Sequence, residues 1–235
     1  GDADAFQVEQ PSMGLGLAVL SVVVAYLLGS IPVGVVVCKP LGKDPRTVGS
    51  GRTGGTNVYR AAGFVPFALT VVGDVLKGYV AVAIAGRLVP AEVYGGYAGW
   101  AVALAALAAI VGHNYPVFAG FHGGAGSSPN MGAAFAYDPL VCAVGIVLGA
   151  VVLFGVGLAS VGSIVLSLAI LLGLGWRVID GVQPPATLVY AVGQFVLVVW
   201  ALRPNIARLR AGTERRVDFF HRGPRGPEGG TEASA

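Results

Sequence analysis

The chain carries uncharged apolar runs long enough to cross a bilayer, and no other feature narrows its possible folds as much. Residues 14–37 contain no Asp, Glu, Lys or Arg. A helix rises 1.5 Å per residue, so about 20 apolar residues cross the ~30 Å hydrocarbon layer. Comparable runs cover residues 64–86, 94–119, 140–158, 160–176 and 185–202. They are long and do not alternate with polar residues, which predicts helices rather than a barrel. The chain is 55% hydrophobic and 11% charged, with a mean hydropathy of +0.75. A soluble domain has about 25% charged residues and could not disperse this much apolar surface. Disorder is excluded for most of the chain on the same grounds. The class predicted is an all-α polytopic membrane protein.

Residues 127–137 are apolar toward their end but too few to span alone, and Asp138-Pro139 reads as a turn. This piece is expected to be a short or broken helix, a form tolerated where protein or a cavity shields its backbone. With it, the chain has seven transmembrane elements. The first run follows an acidic flank and is too long for a signal peptide, so it is expected to be a true span. Lys39, Lys43, Arg46, Arg52 and Arg60 share one loop, and the C-terminal region is rich in arginine. The positive-inside rule then places the N-terminus outside and the C-terminus in the cytoplasm, as an odd count requires. Residues 1–13 are expected to be an extracytoplasmic segment, 14–210 the membrane domain, and 211–235 a basic then Gly/Pro-rich tail without fixed structure.

This topology collects the loops 38–63 and 120–130, the junction near 155–163 and the start of the tail on one membrane face. The first loop contains Gly49, Ser50, Gly51, Arg52, Gly54, Thr56 and Asn57, flanked by Arg46 and Arg60. Glycines let backbone N–H groups approach an anion, and guanidinium forks match phosphate. The second loop, with His122, Gly123, Gly124 and Gly126, has the same character without Lys or Arg. Such loops also serve as tight turns, and inner-face arginines also enforce topology. Neither loop matches GxxxxGK[ST] or GxGxxG, so nucleotide binding is not supported. Two cysteines, Cys38 and Cys142, and three histidines give no metal-site spacing, and no metal is expected. Asp74 and Lys77 lie within a span at i, i+3, where ionisable groups are expensive. They, with His113, are expected to be structural polar groups in the membrane.

These motifs, in this order, resemble the bacterial acyl-phosphate:glycerol-3-phosphate acyltransferases, the PlsY family. Gly29 to Gly34 resembles GSIPxG, and Asp44 to Gly51 resembles DxRxxGSG. Gly55 to Arg60 resembles GATNVxR, Asp74 to Gly78 DxxKG, and Gly112 to Pro116 GHxFP with Tyr for Phe. Asn205-Ile206 and Gly212-Thr213-Glu214 resemble the family's ending. The resemblance covers about residues 27–213. It implies seven transmembrane helices in the bacterial inner membrane, with the active face cytoplasmic. It also implies transfer of a fatty acyl group from acyl phosphate to the 1-hydroxyl of glycerol 3-phosphate. The products are lysophosphatidic acid and phosphate, in phospholipid synthesis, with no cofactor, metal, nucleic acid or obligatory protein partner. Ser50, Arg60, Asn57, Ser160 and Asn205 are implied as catalytic. Arg46, Gly49, Gly51, Arg52, Gly54, Thr56, His122, Gly123, Gly124 and Gly126 are implied as substrate-binding.

The chain departs from the family pattern where charge matters. Ala125 stands for the lysine of GGKG, His122 for the lysine before it, and Arg52 for the asparagine of GSGN. Leu202 stands for the tail histidine, Ala201 for the arginine before it, and Gly157-Leu158 for Arg-Tyr before the serine motif. Two readings stay open. Arg52 and His122 replace the missing charge, or the scaffold persists with altered acceptor or no catalysis, as a lipid- or phosphate-binding protein. A small transporter is a further alternative, weakened by the absence of a visible inverted repeat.

Overall fold

The computed structural model describes residues 2–217, with side chains from Met13 onward. Helix α1 (Asp2–Gly29) begins well before the first apolar run. Residues 2–10 include no Gly or Pro to stop it, so the expected segment 1–13 is mostly helical. The run expected to be one span breaks at Ser30-Ile31-Pro32 and resumes as α2 (Val33–Cys38). Pro32 lacks an N–H and disfavours helix in the residue before it. Then follow α3 (Gly55–Ala62), α4 (Phe64–Leu88), α5 (Ala91–Tyr94) and α6 (Gly96–Asn114). The rest are α7 (Ser127–Tyr137), α8 (Pro139–Val156), α9 (Ala159–Ile179), α10 (Thr187–Ala201) and α11 (Arg203–Arg210).

Among the described residues, five segments are long and apolar enough to cross a membrane: Met13–Leu41, Phe64–Leu88, Gly96–Ala119, Pro139–Val156 and Ala159–Ile179. A sixth arises if α10 and α11, bent by 58°, count as one. Helix α7 has the bounds expected for the short element. Asp138 ends it and caps α8, its carboxylate accepting from the N–H groups of Leu140 (2.9 Å) and Val141 (3.0 Å), while Pro139 opens α8. Arg177 Nε holds the same carboxylate at 2.7 Å. Of the tail expected to lack fixed structure, 211–235, residues 211–217 depart from that expectation, held to the bundle by bonds such as Val217 N to Gly157 O at 2.7 Å, and residues 218–235 lie outside the described residues.

Helix α1 packs on α6 and α4, α4 on α7, α8 on α9, and α10 on α9 and α6. Without a hydrophobic force between helices in lipid, small residues permit the close crossings. At α1–α6, a Cβ on Gly29 would lie 2.2 Å from Ala109 O, and one on Gly112 would lie 2.3 Å from Tyr26 O. At α4–α7, a Cβ on Gly78 would lie 2.0 Å from Pro129 O, and one on Gly132 would lie 1.8 Å from Val75 O. Each crossing therefore depends on a reciprocal glycine pair. Alanines 25, 81, 85, 105 and 109 fill the adjoining core.

Several buried polar groups are partnered across helices. Tyr190 donates to Asn130 Oδ1 (2.7 Å), Asn130 Nδ2 donates to Gln194 Oε1 (2.8 Å), and the Ser167 hydroxyl donates to the same oxygen. This chain ties α7, α9 and α10 together. Asp74 pairs with Lys77 at 2.8 Å and approaches His113 Nδ1 at 3.4 Å, while Lys77 Nζ donates to Ile31 O at 2.9 Å. The lysine thus holds a carbonyl at the break between α1 and α2.

Candidate active site

The first glycine-rich loop is organised by Asn57 in the first turn of α3. Its amide donates to Val48 O and Arg52 O, both at 3.0 Å. Its Oδ1 accepts from Ser50 N (3.4 Å) and Arg60 Nη1 (3.0 Å). Gly49 (φ +57°) and Gly51 (φ +73°) take left-handed backbone that side-chain-bearing residues rarely adopt, and so turn the loop around Ser50. Asn57, expected among the catalytic residues, spends both donors on the loop and acts as its frame.

The second loop is pressed onto the first and onto His113. Thr53 N donates to Gly123 O at 3.4 Å, and Gly124 N donates to His113 O at 3.0 Å. A Cβ on Gly124 would lie 2.0 Å from His113 Nε2. The loop delivers Ala125 and the N-terminal turn of α7, with Ser127 and Ser128, to the cavity wall.

The third wall comes from the start of α9, from α11 and from the segment after it. Ser160 donates to Glu214 Oε1 (3.1 Å), and Asn205 Nδ2 donates to the same oxygen (2.6 Å). Arg208 Nε pairs with Glu214 Oε2 at 2.8 Å. Arg52 reaches across from the first loop, Nη1 donating to Asn205 Oδ1 (3.1 Å) and Nη2 to Ala201 O. The segment is stitched down at two further points: Arg215 donates to Gly49 O, and Val217 N to Gly157 O at 2.7 Å.

These walls enclose a cavity of about 350 Å³. Its charged lining consists of Arg52, Arg60, Arg208, Arg215 and Glu214, four cations against one carboxylate among the described residues. Burial lowers the Arg52 and Arg60 pKa values from the ordinary arginine range, Arg208 adding to the effect at Arg52 and Arg215 at Arg60. Both stay cationic, since arginine does not lose its proton in proteins. The rest of the lining is largely apolar, including Phe67, Met131, Ile146, Leu153 and Leu166. The cavity can therefore hold an anionic head against a hydrocarbon chain.

Of the expected site residues, Ser50, Arg52, Gly54, Thr56, Asn57, Arg60, Gly124, Ser160 and Asn205 line this cavity, as does His113. Gly49, Gly51, Gly123 and Gly126 shape the loops without being part of the lining. Two expectations are corrected. Arg46 folds back on Asp44, its Nε and Nη2 donating to the carboxylate at 2.8–3.1 Å, on the exposed side of its loop. That hydrogen bond holds the Asp44 carboxyl below its usual range. His122 is exposed, its Nδ1 2.6 Å from Gly120 O, and it does not replace charge in the cavity. Sequence reasoning assigned no role to Glu214, Arg208 or Arg215. The Gly212-Thr213-Glu214 motif was the available signal for Glu214.

The fold and this cavity together define a membrane-embedded protein with an arginine-rich, otherwise largely apolar pocket. Residues 19–212 match the family described as glycerol-3-phosphate acyltransferase, and the chain belongs to that family. It is a membrane acyltransferase. A glycerol-3-phosphate acyltransferase of Thermus thermophilus is 37% identical over 206 residues, covering 85% of this chain and 95% of the relative. One from Geobacter sulfurreducens is 40% identical over 199 residues, covering 82% of this chain and 94% of the relative. The crystal structure of PlsY (YgiH), an integral membrane glycerol 3-phosphate acyltransferase, in its glycerol 3-phosphate form is similar with a TM-score of 0.75 and 34% identity. That match covers 86% of this chain and 96% of the other. The lysophosphatidic acid form gives a TM-score of 0.74 at 33% identity, covering the same shares of the two chains.

Proposed function

We propose that this chain transfers a fatty acyl group from acyl phosphate to the 1-hydroxyl of glycerol 3-phosphate. The products are lysophosphatidic acid and inorganic phosphate. The observation that carries the reading is the cavity's mixed chemistry, guanidinium groups and loop donors together with a largely apolar lining. The solved relatives, described in glycerol 3-phosphate and lysophosphatidic acid forms, support the acceptor and product. Ser50 and Arg60 hold a phosphate from the first loop, and Ser160 and Asn205 meet it from the third wall. The donor is already activated. The acceptor oxygen forms a bond to the acyl carbon, the bond from that carbon to the phosphate oxygen breaks, and the departing phosphate takes the hydroxyl proton. Orientation and desolvation then supply most of the rate enhancement. No cofactor is needed for this step. The chain sits in the bacterial inner membrane with seven transmembrane elements, α7 being the short one, its N-terminus outside and its cavity facing the cytoplasm.

Ala125 and Leu202, both in the cavity wall, favour a second reading, a divergent homologue with another acceptor or no catalysis. Purified protein in lipid, given palmitoyl phosphate and labelled glycerol 3-phosphate, separates the two. Labelled lysophosphatidic acid that vanishes in a Ser50→Ala, Arg60→Ala double variant supports acyl transfer. No product, while an active relative turns over in the same lipid, selects the second reading.

A further inference from the structure

The cavity's cations are not equivalent. Arg208 is neutralised by Glu214 at 2.8 Å. Among the described residues Arg52 hydrogen-bonds to neutral acceptors, Asn205 Oδ1 at 3.1 Å and the Ala201 carbonyl, with the Glu214 carboxylate near enough to act on its charge. A guanidinium has five N–H donors. Those two bonds fix its position and leave charge and donors for a ligand. Its backbone neighbours are equally telling. Thr53 N bonds to Gly123 O (3.4 Å), and a Cβ on Gly54 would lie 3.9 Å from Gly124 Cα. Residues 53 and 54 therefore lie against the second glycine loop, which contributes the uncharged Ala125 to the same cavity lining as Arg52. The end of α10 contributes Leu202, also uncharged. His122 is exposed and bonded to its own loop.

We infer that Arg52 is the phosphate-binding cation of this side of the cavity, supplying from the first loop the charge that positions 125 and 202 do not provide here. The inference rests on the acyl-transfer reading for its substrate, a phosphate-bearing lipid precursor. It assigns the charge to one residue and makes positions 52 and 125 interchangeable sources of it. Both positions line the same cavity, so moving the charge to 125 should cost less than deleting it.

The test compares Arg52→Gln, the double variant Arg52→Gln/Ala125→Lys, and Arg52→Lys, each in lipid with palmitoyl phosphate and glycerol 3-phosphate. Glutamine keeps amide donors toward Asn205 and Ala201 but removes the charge. The inference expects R52Q to lose at least tenfold in kcat/KM, and the double variant to recover at least threefold of that loss. A smaller loss, or a smaller recovery, overturns it. R52K keeps the charge and loses the fork, and it should stay within tenfold of the parent. Where R52Q does not fold, judged by size exclusion and melting, R52K decides alone, and a larger loss overturns the inference. If the parent chain shows no turnover, the acyl-transfer reading falls separately. The same variants are then compared by the rise in Tm that glycerol 3-phosphate produces. A rise that disappears in R52Q and returns in the double variant sustains the inference, and any other pattern ends it.

Discussion

Ser160 donates its hydroxyl to the Glu214 carboxylate across 3.1 Å, joining the first turn of α9 to the segment that follows α11. The same carboxylate takes Asn205 at 2.6 Å and Arg208 at 2.8 Å, so one acidic side chain orders three groups of the cavity wall. Glu214→Ala should therefore destabilise the protein by about 3 kcal/mol, the scale for stripping one partner from a largely buried charge pair. Glu214→Gln, which keeps an acceptor for Ser160 or Asn205, should lose less. Melting curves in one detergent measure both, and an alanine variant as stable as the parent would show the network to be energetically idle.

The α4–α7 crossing makes a sharper steric prediction. Gly78→Ala and Gly132→Ala each place a methyl within about van der Waals overlap of a backbone carbonyl, at 2.0 and 1.8 Å. The helices must separate, at roughly 1–3 kcal/mol or more. Gly86→Ala on the same helix α4 has nothing within 4 Å and should be neutral or slightly stabilising. Equal effects at the three positions in a thermal-shift comparison would contradict the packing described.

Asp74 and Lys77 should behave as a unit. Asp74→Asn leaves Lys77 charged in the interior and should cost about 3–5 kcal/mol. The double variant Asp74→Asn/Lys77→Met should be more stable than Asp74→Asn alone, which a double-mutant cycle measures as a coupling energy. Additive losses would mean that the ion pair contributes nothing specific.

Arg46 and Arg60 flank the same loop but should separate in kinetics. Arg60→Ala should raise KM for glycerol 3-phosphate at least tenfold, while Arg46→Ala should change kcat/KM less than threefold. Arg46 instead pairs with Asp44 on the surface. Because the folded state lowers the Asp44 pKa, the pair stabilises the protein above the unfolded value near 4 and loses that contribution as pH falls through the lowered value. Both partners are over one-third exposed, so the contribution is below about 1 kcal/mol. The melting temperature of Asp44→Asn at neutral pH checks it.

The helical class and α7, at residues 127–137, were legible because long apolar runs and an Asp followed by Pro leave few alternatives. The break at Pro32 was written in Gly-Ser-Ile-Pro, yet the surrounding hydropathy masked it. Ser50, Arg60, Ser160 and Asn205 could be placed from their motifs. Arg46 and His122 were misplaced because their charge is visible in sequence and the direction of the side chain is not. Arg46 has a nearer partner two residues away in Asp44, and such local competition decides where a guanidinium points. The ordering role of Glu214 was not legible because its partners lie on elements brought together only by the bundle.

The Arg52–Asn205 bond joins residues 153 positions apart, and that separation sets an order of events during synthesis. The glycine-rich loop is made early and waits, with its arginines exposed, while most of the remaining helices enter the membrane. The wall that Arg52 bonds to is made only when residues 201–205 emerge. No nascent chain arrested before Asn205 can hold the assembled pocket. Insertion of the membrane helices and birth of the active centre are thus two separate moments, and an immature protein can be fully embedded yet chemically silent.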